Sequence, residues 1–119
     1  MEGKRKNRSP SQFPAVSVDG AVDDISMAML QQGIRLRLPG FASSTNYAFV
    51  HLLFFDELGR GRVVRTTWQA NVDSSAFLTA EELTQFSPGM RVIATGELPV
   101  PGQDGLFQRT GSTTYTIVV

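Results

Sequence analysis

The sequence predicts a mainly β domain with one short helix late in the chain, and three observations carry that prediction. Runs of alternating apolar and polar residues, Ile34-Arg35-Leu36-Arg37-Leu38 being the cleanest, have the period of two that a half-buried strand requires. Turn residues punctuate the runs at Pro39-Gly40, Gly59 to Gly61, Ser87-Pro88-Gly89 and the Pro/Gly-rich stretch 99–105. A single helix start stands out at Thr79-Ala80-Glu81-Glu82, a capping box in which Thr79 and Glu82 each satisfy the other's backbone N–H.

Taken in order, residues 1–20 are polar with two prolines and a closing glycine, so they read as a basic, flexible arm with a short extended piece at Val16 to Val18. Residues 21–119 form the single folded domain, since 119 residues have room for one. Residues 22–32 carry two signals: Asp23 or Asp24 caps a helix that Gly33 ends, yet Ile25, Met27 and Met29 alternate as in a strand. The helix is the reading we favour. Ile34 to Leu38 is a strand with both arginines on its wet face. Tyr47 to Asp56 is a longer one in which Ala48, Val50, Leu52 and Phe54 share one face and Phe49, His51, Leu53 and Phe55 the other, both largely apolar. The turn around Gly59 and Gly61 joins it as a hairpin to a third strand, Arg62 to Val72. The capped helix follows, Pro88-Gly89 stops it, and Met90 to Thr95 and Thr113 to Val119 complete five clear strands. Strand, strand, strand, helix, strand, strand is the plan of the OB-fold, a five-stranded Greek-key barrel.

Composition narrows the chemistry. There is no cysteine and a single histidine, His51, so neither a thiolate nor a His-rich metal site can be built and no cofactor is implied. An enzyme is not expected. The longest apolar run, near Phe49 to Phe55, is far below the roughly 20 residues of a membrane span. The basic start is followed by no apolar segment of the secretory kind, so the expected location is cytoplasmic. Net charge is zero but uneven: residues 1–12 carry Lys4, Arg5, Lys6 and Arg8 against Glu2, a balance of +3, and the remainder carries −3. Such an arm either contacts phosphates or is a solvated tail.

From Arg65 onward the chain resembles the bacterial-type single-stranded-DNA-binding proteins. Thr66 and Trp68, then Pro88-Gly89, Val92, Gly96 and Leu98, and Thr113-Thr114 running into Ile117-Val118-Val119 match that family's strand–helix–strand pattern over about half the chain. The sequence departs from it in a short first loop, the basic arm, and an apolar rather than acidic C-terminal stretch. The resemblance implies a non-enzymatic module for single-stranded DNA or RNA, associated with the nucleoid and DNA replication. Bases would stack on Trp68, Phe49 and Phe55, while Arg35, Arg37, Arg62, Arg65 and the arm residues Lys4, Arg5 and Lys6 meet phosphates.

Each contact has a plainer reading beside it. By alternation Trp68 falls with Val64, Thr66, Ala70 and Val72 on the more apolar face of the third strand, which is equally the place of a core ring. Phe49, His51 and Phe55 suit an oligomer interface as well as a stacking platform, and a solvated strand face explains the arginines. The second function class is therefore a structural or assembly subunit, of a virion or a multiprotein complex, whose apolar strand faces mate with protein. The doubly apolar second strand points to a homo-oligomer, a dimer or tetramer.

Overall fold

A computed structural model describes residues 13–119. Its strands are β1 (Ser17–Val18), β2 (Asp24–Ser26), β3 (Ile34–Leu38), β4 (Val50–Asp56), β5 (Gly61–Thr66), β6 (Ser74–Leu78), β7 (Arg91–Pro99), β8 (Phe107–Arg109) and β9 (Thr113–Val118). Helix α1 (Met27–Gln32) and a 3-10 helix (Ala80–Leu83) are short interruptions. Residues 22–32 hold both of the structures their pattern allows. Ile25 is the buried centre of β2, and Ser26 then caps α1 by accepting the Met29 N–H. The capping box at Thr79 is present as expected: Glu82 accepts the Thr79 N–H at 2.9 Å and Thr79 Oγ1 accepts the Glu82 N–H at 3.4 Å.

The strands do not close into a barrel. One sheet has the order β1-β3-β6 and the other β2-β9-β7-β4-β5, with β8 pairing β7 beyond β9. All pairs are antiparallel except β2 with β9, which is parallel. Inward residues of both sheets, among them Leu36, Leu38 and Leu78 from the first and Leu52, Phe54, Ala94, Leu98, Tyr115 and Ile117 from the second, form one core.

The departure from a five-stranded barrel begins at one stretch of the chain. The sequence from Arg62 to Val72 is not one strand. It ends at Thr66, and residues 67–73 turn the chain toward the other sheet. Asn71 takes a left-handed conformation with φ 64°, which asparagine tolerates better than most residues. Val72 donates to the Gln69 carbonyl at 3.2 Å, and Asn71 donates to Phe41 at 2.9 Å. Ser74–Leu78, which carries no strong strand signal of its own, then pairs with β3 along its whole length. That one reversal sends the third strand's continuation into a second sheet.

Candidate functional site

The six-stranded sheet turns one face to the core and the other outward, and the outward face concentrates the chain's unusual chemistry. Along β4, Val50, Leu52, Phe54 and Asp56 are buried while His51, Leu53 and Phe55 are half-buried on the outer side. Register sets their neighbours. His51 lies between Arg65 of β5 and Glu97 of β7, which in turn faces Arg109 of β8; Leu53 lies between Val63 and Thr95; Phe55 lies between Gly61 and Ile93. The result is a charged row beside two apolar rows, with Val63 60% exposed at the sheet's edge.

The charged row is tightly connected. The Arg65 Nε–H donates to His51 Nε2 at 3.3 Å, so the ring's proton sits on Nδ1 and faces Glu97 Oε1 at 3.2 Å. The Arg65 guanidinium carbon stands 3.9 Å from the centre of the Phe49 ring, a cation–π contact. Phe49, His51 and Phe107 cluster with ring centres 5.0–6.4 Å apart. Arg109 Nε is 3.8 Å from Glu97 Oε2.

The residues expected to hold a nucleic acid are not brought together. Trp68 is a core ring, 8% exposed, packed against Tyr47 at 5.0 Å and Phe41 at 5.4 Å between ring centres. It has no open face for a base. Arg35 and Arg37 lie on β3, in the other sheet. Arg37 is held by Asp19 at 2.8 Å, and that guanidinium keeps the Asp19 carboxyl below its ordinary range. Arg35 stands over Phe77 at 5.5 Å. Arg62 is on β5 but donates to the Glu82 carbonyl at 3.0 Å. Phe49, Phe55 and Arg65 do share the outer face. Lys4, Arg5 and Lys6 lie outside the described residues. Leu53, which alternation places on this face, and Val63, Ile93, Glu97 and Phe107, to which sequence reasoning assigned no role, complete the face. Alternation along β7, with Val92 and Ala94 inward and Ile93 and Glu97 outward, was the signal available for two of them.

A second concave feature is an open groove of about 360 Å3 between α1 and the 3-10 helix, lined chiefly by Met27, Leu30, Leu83 and Phe86. Among the described residues that line it, Glu81 alone is titratable. Among the described residues no three His, Cys, Asp or Glu side chains gather as a metal site would require, and no helix is long and apolar enough to cross a membrane.

No protein-family model and no curated protein matches the sequence. Among solved structures, the chain is similar to a bacterial immunoglobulin-like domain from the M. primoryensis ice-binding adhesin, at 19% identity and a TM-score of 0.48, covering 88% of this chain and 97% of that one. The expectation of a single-stranded-DNA-binding protein with a part in replication is thereby corrected. The comparison returns no such protein, the sheets leave their edges open where an OB-fold closes, and the tryptophan that carried the resemblance is buried.

Proposed function

We propose that this chain is an immunoglobulin-like β-sandwich acting as a non-catalytic structural or assembly module, which engages protein through the outer face of its six-stranded sheet. The strand order supports the fold. With β1, β3 and β6 as strands A, B and E, and β9, β7, β4 and β5 as G, F, C and C′, the two sheets follow the immunoglobulin arrangement. The observation that carries the function is the apolar outer surface of Leu53, Phe55, Val63 and Ile93, bordered by the Arg65–His51–Glu97–Arg109 row. Folding does not require it, because the core on the opposite side of the sheet is already filled. An apolar centre with a charged border is the anatomy of a protein contact.

The test is a Val63→Ser/Phe107→Ser variant, both residues being more than a third exposed. We expect its stability to stay within about 1 kcal/mol of the parent, as surface changes do, and its retention on a phenyl matrix to drop. Retention unchanged, or a stability loss in the range of about 2–5 kcal/mol that core truncations show, would refute the reading.

A further inference from the structure

We infer that the occupant of this face is a second copy of the same chain, joined face to face about a twofold axis that runs along β4. The inference rests on the preceding reading of the face as a contact surface and adds the partner and its register.

It follows from the charge pattern. β5 and β7 flank β4 on either side at equal strand spacing, so a twofold axis lying along β4 exchanges them. Arg65 of one copy then falls over Glu97 of the second, and Glu97 of the first over Arg65 of the second. The same operation sets Leu53 and Phe55 against their own counterparts, with Val63 of each copy on the flank of that apolar strip. The side chains suit this. Among the described residues no carboxylate pairs with Arg65, whose Nε–H goes to His51 and whose guanidinium plane lies over Phe49. Glu97 Oε2 is at 3.8 Å from Arg109, beyond hydrogen-bond length, and retains acceptor capacity. Cation and anion thus stand on opposite sides of the axis, which is what a self-complementary patch requires. The open edge of β5 is the poorer route to self-association. Pairing Gly61–Thr66 with itself in the register that matches the whole strand sets Arg62 opposite Arg65, two like charges.

The experiment is a mixing test. Wild-type protein, Arg65→Glu and Glu97→Arg are each run in sedimentation velocity over a concentration series, with circular dichroism and thermal melts as fold controls. Wild type should dimerise. Each reversal sets like charges together twice in the symmetric dimer and should weaken it at least about a hundredfold. An equimolar mixture of the two variants should dimerise again, because one variant then carries only carboxylates at these two positions and the other only guanidinium groups, so both facing pairs are cation against anion. Only an intermolecular pair gives recovery on mixing; a contact within one chain does not. Val63→Arg, a change at an exposed edge position, should give a folded monomer and serves if either reversal fails to fold.

A wild-type monomer at every concentration overturns the inference, as does a dimer indifferent to all three substitutions or one that mixing fails to restore. If the monomer still loses phenyl-matrix retention in the Val63→Ser/Phe107→Ser variant, self-pairing alone has failed and the contact-face reading stands with a different protein as occupant.

Discussion

Removing one oxygen atom, in Tyr115→Phe, should loosen the clasp between the two sheets. Tyr115 is 1% exposed on β9, and its hydroxyl accepts the backbone N–H of Val18 on β1 at 2.8 Å. Among the described residues that N–H has no other partner in reach. β1 pairs β3 with Ser17 opposite Arg37 and Val18 opposite Leu36, and Asp19 donates to the Arg35 carbonyl, so in the antiparallel alternation the Val18 N–H points away from β3. It lies in a dry place, since Val18 is 2% exposed. Phenylalanine keeps the ring and its packing, so the cost is the stranded donor, about 1–3 kcal/mol. For a domain of this size that corresponds to a melting point lower by about 4–12 °C. Guanidinium unfolding followed by Trp68 emission would measure it, with m unchanged because the unfolded surface is the same. A loss under about 0.5 kcal/mol would refute the reasoning, since a buried unsatisfied N–H is not that cheap.

Trp68→Ala should cost about 3–5 kcal/mol as a core truncation, and a dT oligonucleotide added to wild-type protein should leave Trp68 fluorescence unchanged; quenching would reopen the assignment of that ring. Gly61→Ala drives a Cβ into the Phe54 carbonyl oxygen, so it should destabilise the protein by about 1–3 kcal/mol and speed amide exchange in β5 ahead of β3, as read by mass spectrometry. Asp56 gives a pH dependence of fixed sign. Burial pushes its carboxyl up, but the N–H groups of Arg60 and Leu58 and the Arg60 guanidinium outweigh this and hold it below the ordinary 3.8. Its contribution is therefore complete above that value and lost as pH falls below it, and Asp56→Asn should flatten the acid side of a denaturation midpoint measured against pH.

The legible parts of the fold were those whose signal is local. The β3 alternation, the Thr79 capping box, the turn between β4 and β5, and the two faces of β4 follow from spacing and turn chemistry alone, and all are present. The break after Thr66 was illegible because Arg62 to Val72 keeps a strand-like pattern through it. What ends the strand is distant, namely the Phe41 carbonyl that receives the Asn71 N–H and the Asp73 carboxylate that receives the Gly40 N–H at 2.8 Å. With the break unseen, β6 was unseen, and one continuous third strand invites a barrel. The same displacement misled the site. Trp68 sits in the turn rather than on a strand, so alternation could say which face it leaned toward but not that Phe41 and Tyr47, themselves packed on Phe13, would cover it. His51 and Phe49 were placed on the correct face; their companions Glu97 and Phe107 come from strands about 50 residues further on, joined only by register.

The parallel pairing of β2 with β9 sets a schedule as well as a shape. β9 is the last of these strands in sequence, yet it lies inside its sheet, between β2 and β7. Until it emerges from the ribosome, β2 has no partner in its sheet, Tyr115 and Ile117 are missing from the core, and the Val18 N–H waits for its hydroxyl. A nascent chain can zip β4 to β5 and β7 early, but the two sheets are complete only after residue 118 is made. Through that interval the apolar strands of a half-built core stand open, which makes synthesis itself the period of greatest aggregation risk for this protein.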